Sequence, residues 1–150
     1  MRENIGRAAK NASAIIIYHK NRVFINLRSK NKKIFYPNHW GCFGGAKNIN
    51  ESYHKAALRE LYEETQITTN INNLKFFFNL DFIIPFSHKK IQRNFYLLEI
   101  KNIKIFNKNF HLSEGVKAKF FTKTAFLKIK KFVPYDKFAI DLFFRYKLRN

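Results

Sequence analysis

The first strong pattern along the chain is an almost unbroken apolar run, ASAIIIY at residues 12–18. Such a run, bounded by polar residues, reads as a strand covered on both faces. Val23, Ile25 and Leu27 then alternate with Arg22, Phe24, Asn26 and Arg28, and only His19, Lys20 and Asn21 separate the two runs. That spacing predicts a hairpin. Residues 29–39 are polar, contain Pro37 and read as a loop, and the short apolar stretch Trp40 to Phe43 ends at Gly44-Gly45, a backbone breaker. Between about 52 and 65 the period changes. Tyr53, Ala57, Leu61 and Glu64 lie near one stripe, and Ala56 to Glu64 are good helix formers, so a helix capped by Asn50 or Ser52 is expected. Residues 74–84 and 91–100 read as strands joined by a turn from Pro85 to Lys90, and 117–122 as a further short strand. A last helix is expected after Pro134, with Phe138, Leu142 and Tyr146 forming its stripe and Ile140 and Phe144 supporting it. Residues 1–11 read as a polar arm. Strands mixed with two or three helices predict an α/β sandwich with a mixed sheet, in a single domain over 1–150.

Composition narrows the classes. With 46% apolar and 17% aromatic residues the chain can fill a core, and five Gly with three Pro exclude low-complexity and collagen-like chains. The rings Phe76, Phe77, Phe78, Phe95, Tyr96, Phe120 and Phe121 are expected in that core, with base stacking as the alternative. A single cysteine, Cys42, excludes an internal disulfide framework and a Cys-rich zinc site. No window approaches the ~20 apolar residues of a membrane helix, and MRENIGRAAKNASAIII lacks a signal-peptide core. A soluble cytoplasmic protein that does not engage membranes is the expectation.

Charge changes the picture more. Lys and Arg number 29 and Asp and Glu 10, a formal net charge of +19. Polyanionic partners are one reading. The other is base composition, because Lys, Asn, Ile and Phe all have A/T-rich codons. The densest lysine groups are Lys30, Lys32, Lys33 and Lys128, Lys130, Lys131. The five histidines show no ligand spacing, and His54 reads as a surface residue near the helix start.

The scarce acids carry the sharper signal. Glu51, Glu60, Glu63 and Glu64 crowd one segment. Glu60, Glu63 and Glu64 stand at i, i+3 and i+4 and project from one helix face, where like charges repel by roughly 0.2–0.5 kcal/mol per pair. Either this is a solvated acidic face partly neutralised by Arg59, or the carboxylates converge on a hard cation. Oxygen-only ligands would select Mg²⁺ or Mn²⁺ over zinc.

The segment GGAKNINESYHKAALRELYEETQI resembles the Nudix box, G-x5-E-x7-R-E-U-x-E-E-x-G-U with U a bulky aliphatic residue. Gly45, Glu51, Arg59, Glu60, Leu61, Glu63, Glu64 and Ile67 occupy its positions with the right gaps. The resemblance implies a Nudix-type α/β/α sandwich and a Mg²⁺- or Mn²⁺-dependent hydrolase. Its substrate would be a nucleoside diphosphate linked to another moiety: a nucleoside triphosphate, a nucleotide sugar or a dinucleoside polyphosphate. It implies Glu60 and Glu64 as main metal ligands, Glu63 as a further ligand or water-holder, and a carbonyl from the Gly44-Gly45 backbone, at Gly45, with Gly44 allowing close approach of phosphates. It also implies that Glu51 and Arg59 pair. On one straight helix they would be about 12 Å apart along the axis, so either Glu51 folds back from a loop or Arg59 reaches Glu63 instead. A catalytic base is sought on a late loop, where Glu114 before Gly115 is the candidate against a plain loop acid, with Glu99 behind it. Arg28 is a candidate phosphate contact. The sequence departs from the pattern at Gln66, where the family has a glycine in left-handed conformation; a non-Gly residue there costs roughly 1–2 kcal/mol. Phe43 replaces a common proline. Two other readings stay open: an RNA 5′-end pyrophosphohydrolase using the basic surface, and a Nudix-fold nucleotide binder without turnover.

Overall fold

The computed structural model describes residues 11–84 and 89–147. The apolar run becomes β1 (Asn11–His19), and the alternating run becomes β2 (Arg22–Leu27). They pair antiparallel about a two-residue turn in which Lys20 takes a φ of 52°. β3 (Trp40–Gly41) and β4 (Phe43–Ala46) follow, then helix α1 (Tyr53–Thr65), β5 (Leu74–Ile84) and β6 (Lys89–Glu99). A short helix α2 (Ile103–Asn109), β7 (Lys117–Thr122), helix α3 (Lys123–Leu127) and helix α4 (Pro134–Leu142) complete the order. α4 runs into a π turn at Phe143–Lys147.

All seven strands among the described residues join one sheet. β1 pairs parallel to β6 along one edge, and antiparallel to β2 and β4 on the other. β5 pairs antiparallel with β6, and β7 with β2. The sheet is mixed, as expected. β1 is covered on both faces, which explains its unbroken apolar sequence. Ala14 and Ile16 pack with Phe126, Ala139, Ile140 and Phe143 on the α3–α4 side. Ile15 and Ile17 pack with Phe43, Ala57, Leu61 and Phe106 on the α1–α2 side.

Four expectations need correction. Phe76 is 55% exposed rather than core, because β5 is the outer strand and offers it one ring neighbour, Tyr96 at 5.9 Å. On the last helix Phe138 and Tyr146 are exposed, while Ala139, Ile140, Phe143 and Phe144 are buried; the buried stripe runs through 136, 139/140 and 143/144 at ordinary helical spacing, beside rather than along the Phe138, Leu142, Tyr146 line. β6 begins at Lys89, so Lys89 and Lys90 are strand rather than turn, and residues 85–88 lie outside the described residues. Asn11, placed in the polar arm, belongs to β1, and residues 1–10 lie outside the described residues.

Ser52 caps α1, accepting from the Lys55 N–H at 3.1 Å. At the other end Gln66 holds φ 59°, ψ 11°, and its N–H bonds the Tyr62 carbonyl at 2.8 Å. The position is left-handed, and glutamine is held there at a cost. Replacing it with Gly removes about 1–2 kcal/mol of backbone strain and adds roughly 0.4–1 kcal/mol of unfolded-chain entropy. Gln66→Gly should raise the melting temperature by about 2–4 °C per kcal/mol gained, read by differential scanning calorimetry.

Candidate functional site

Three segments meet around the C-terminal half of α1: strand β4, the loop before β7, and the end of β2. α1 is fixed by burying Ala57 and Leu61 completely; Glu64 lies on that buried side, while Glu63 is half exposed. Glu51 does fold back from the turn before α1. Arg59 donates from Nε to Glu51 Oε2 at 2.8 Å and from Nη2 to Glu51 Oε1 at 2.9 Å. The pair is the bidentate fork that a guanidinium makes with a carboxylate. Arg59 also reaches Glu60 Oε1 at 2.9 Å, both Glu63 oxygens at 3.3 Å and the Ala46 carbonyl at 2.8 Å. The two alternatives for Arg59 therefore hold together. Its hydrogen bonds keep the Glu51 carboxyl below the usual carboxylate range.

Glu64 turns the other way, into the protein. It is 6% exposed and accepts the Gly44 N–H on Oε1 at 2.7 Å. Burial pushes its carboxyl up to about 8, against the Gly44 hydrogen bond and with help from the charges of Glu60 and Glu114. Glu60 is raised too, again mainly by burial, with Arg59 opposing and Glu63 and Glu114 adding. Glu114 is thus brought to bear on both carboxyls. Backbone bonds hold its loop there: the Ser113 N–H donates to the Glu64 carbonyl and the Val116 N–H to the Leu27 carbonyl.

Gly44 and Gly45 each answer a close approach. Gly44 has φ 144°, and a Cβ on it would lie 2.1 Å from the Ser13 carbonyl oxygen of β1. A Cβ on Gly45 would lie 2.6 Å from the Glu60 carboxylate. That second neighbour is the end of a flexible side chain, so Gly45→Ala should fold and displace Glu60. Loss of metal affinity of roughly 10–100-fold, with little change in melting temperature, is the expected outcome of a Mg²⁺ titration of activity.

A cleft of about 400 Å³ is lined by Asn26, Arg28, Ser29, Ile34, Glu64 and Glu114, among others. Arg28 is held by its Nε on the Phe35 carbonyl at 3.0 Å. A larger hollow of about 610 Å³ opens between β6 and α2, with Glu99 as its one acidic lining residue. Glu64, Glu114 and Arg28 meet in the smaller cleft, and Glu99 does not line it.

The expected convergence of Glu60, Glu63 and Glu64 also needs correction. Among the described residues, no three of His, Cys, Asp and Glu stand close enough to hold one ion as the side chains lie. Arg59 takes up Glu63, whose side chain is 50% exposed, while Glu64 faces inward. The like charges of Glu60 and Glu114 raise the Glu64 carboxyl, and those of Glu63 and Glu114 raise the Glu60 carboxyl. All-oxygen donors with unrelieved like charge fit a hard divalent cation.

Sequence reasoning missed Asn26, which is buried in the cleft wall, and a buried ion pair behind β4. Arg93 on β6 faces Asp136 on α4, Nε to Oδ1 at 3.3 Å, and Asp136 Oδ2 accepts the Cys42 N–H at 3.0 Å. Asp136 just after Pro134, in a chain with few acids, was the available signal. His54 meets the Tyr96 hydroxyl at 3.4 Å and does not line the cleft.

The profile of the NUDIX domain matches residues 8–142. The chain belongs to the Nudix family. It is a pyrophosphohydrolase of that family, whose enzymes act on nucleoside diphosphate derivatives and generally use divalent metals. No curated protein matches it in sequence. Among solved structures, a MutT protein from Methanosarcina mazei Go1 is similar, with 19% identity, coverage of 92% of this chain and 94% of that one, and a TM-score of 0.74. A dihydroneopterin triphosphate pyrophosphohydrolase from E. coli has 18% identity, coverage of 92% and 97%, and a TM-score of 0.70. A C. elegans Ap4A hydrolase in a binary complex has 21% identity, coverage of 89% and 97%, and a TM-score of 0.64. These likenesses establish the shared Nudix fold.

Proposed function

We propose that this Nudix protein is a Mg²⁺-dependent hydrolase, with Mn²⁺ as the alternative ion. It would cleave the phosphoanhydride bond of a small nucleotide: a nucleoside triphosphate, a nucleotide sugar or a dinucleoside polyphosphate. One observation carries this reading: a buried carboxyl, Glu64, shares a cleft with Glu114 and the arginine Arg28, and Glu60 bears on it electrostatically. When bound, a divalent ion neutralises phosphate oxygens and lowers the pKa of a water. Glu60 and Glu64 would hold it, aided by the Gly45 carbonyl, with Glu63 as a further ligand or water-holder. Glu114 would take the proton of the attacking water as its oxygen bonds to phosphorus and the anhydride P–O bond breaks. Arg28 would hold the phosphate oxygens and orient the chain of phosphates, with Gly44 leaving room for their approach. The two products are a nucleoside monophosphate and a phosphorylated remainder.

The test is a product-release screen over nucleoside triphosphates, nucleotide sugars and dinucleoside polyphosphates, with Mg²⁺ and with Glu114→Gln in parallel. Turnover of one class, falling by roughly 10²–10⁴-fold in the variant as loss of a general base predicts, is the expected result. A folded protein that binds a nucleotide and releases no product would overturn the reading.

A further inference from the structure

Seven polar side chains are buried among the described residues, and six of them have a partner. Ser13 donates to the Tyr53 carbonyl and Thr65 to the Leu61 carbonyl, His19 meets the Ile100 carbonyl, Glu64 accepts the Gly44 N–H, and Arg93 faces Asp136. Asn26 is the exception. It is 4% exposed, and its carboxamide makes no hydrogen bond among the described residues. Folded proteins bond nearly every buried polar group, because an unpaired one gives up its water for nothing. The strand does not call for an amide either. Val23, Phe24 and Ile25, the three residues before it on β2, are all buried and apolar.

The amide end meets the cleft. The sealed, unpaired side-chain polar atoms among the described residues are Arg93 Nε and Asp136 Oδ1. The polar atoms of Asn26 are therefore not sealed, and they open into the cleft that Asn26 lines with Arg28, Glu64 and Glu114. Strand alternation puts Phe24, Asn26 and Arg28 on one side of the chain. Phe24 packs in the core against Phe43 and Phe106. Asn26 is thus the first side chain beyond that core, and Arg28 follows about 6.6 Å further on. The Glu114 loop lies on the other flank. A Cβ at Gly115 would stand 3.5 Å from Asn26 Oδ1, and glycine, at a φ of 91°, leaves that oxygen uncovered. Across the ladder Asn26 pairs with Ala118, a short side chain. The carboxamide lies between the arginine assigned to phosphate and the carboxylate assigned to the proton, which is where a nucleophile has to stand.

We propose that Asn26 orients the attacking water. The inference rests on the hydrolase reading above, with Glu114 as base. Glu114 takes one hydrogen of the water as its oxygen bonds to phosphorus, and the electron pair of the breaking anhydride P–O bond leaves with the departing phosphate. The second hydrogen stays on the attacking oxygen, and Asn26 Oδ1 accepts a hydrogen bond from it. Held at both hydrogens, the water turns a lone pair toward phosphorus. A carboxamide suits this task because it accepts without charge. A carboxylate in its place would add like charge beside Glu64 and Glu114 and compete with Glu114 for the proton.

The test is Asn26→Leu, which keeps nearly the same shape and removes the acceptor. A buried amide without a partner is a burden on the fold, so the variant should melt in chelator at or above the unsubstituted protein. On GTP, UDP-glucose and diadenosine triphosphate with Mg²⁺, its kcat should fall about 10²-fold, the scale of a misplaced reacting group. KM and the Mg²⁺ concentration for half-maximal rate should stay unchanged. Asn26→Ala, which cannot overfill the site, should show the same split. Unchanged kcat would overturn the role. So would a raised KM at constant kcat, which would make the amide a substrate contact, or a loss of Mg²⁺ affinity in step with kcat, which would make it a prop for the carboxylates. If the unsubstituted protein binds these probes in thermal shift and releases no product, the hydrolase reading falls and the water role with it. If it turns one over and Asn26→Leu keeps pace, the water role falls alone.

Discussion

Replacing Glu64 by Gln should silence the enzyme and, in chelator at alkaline pH, make it more stable. The loss of activity follows from the site: a carboxylate that would hold the ion becomes a neutral amide. A fall in kcat of about 10²–10³-fold or more is expected, the scale on which removing one group that stabilises developing charge is felt. The gain in stability follows from burial. Glu64 is raised from the ordinary 4.5 to about 8, chiefly because burial penalises its charged form. A carboxyl that holds its proton more tightly in the folded than in the unfolded chain stabilises the fold when protonated. That contribution is complete below about pH 4.5 and is lost as the pH rises through about 8. Above that pH the metal-free wild type carries an unrelieved buried charge. The glutamine keeps the acceptor for the Gly44 N–H without it, a difference of roughly 1–3 kcal/mol. Thermal melts in chelator should therefore place Glu64→Gln above wild type at pH 9 and bring the two together near pH 4. Added Mg²⁺ should raise the wild-type melting temperature by mass action and leave the variant nearly unmoved. A variant no more stable than wild type at pH 9 would show that the buried charge is relieved by other means.

Gly44→Ala should be far more damaging than Gly45→Ala, although the two glycines are neighbours with similar exposure. At Gly44 the added methyl meets backbone, the Ser13 carbonyl oxygen at 2.1 Å and the Ala14 Cα at 2.7 Å, at a φ of 144°. β1 lies in the middle of the sheet, paired on both edges, and cannot retreat without opening one ladder. The backbone clash and the forbidden dihedral act together, and a loss of about 4–5 kcal/mol is expected. For a chain of this size that lowers the melting temperature by about 10 °C or more. It would also displace the N–H that holds Glu64. Circular dichroism melts of the two alanine variants, side by side, test the contrast. A Gly44→Ala protein that melts with wild type would show that β1 and β4 separate more easily than their pairing implies.

The parts of the fold visible in the sequence are those with a period. β1 reads clearly because both faces are buried, and α1 because its apolar stripe, its Ser52 cap and its carboxylates repeat at helical spacing. The Arg59 cluster was visible for the same reason: in a chain so poor in acids, their spacing stands out. α2 was not legible. It has seven residues and buries only Phe106, too little to show a period. The buried side of α4 was misread because apolar residues occupy two adjacent lines of the helix, 138/142/146 and 140/144, and only the contact with β1 selects the second. Glu114 could be named but not placed, since its position depends on backbone bonds from its loop to Leu27 and Glu64. The pair of Arg93 and Asp136 depends on β6 and α4 meeting across the sheet; the scarce acid after Pro134 marked one member, but nothing local named its partner.

That pair bears on the order in which the molecule can be finished. During synthesis Arg93 emerges well before its counter-charge, and a buried guanidinium without a partner is strongly unfavourable. Asp136 also supplies the acceptor for the Cys42 N–H, two residues from the Gly44 that holds Glu64. The strand that holds Glu64 on α1 is therefore backed by a contact that forms only after residue 136 has emerged, long after α1 itself has been made.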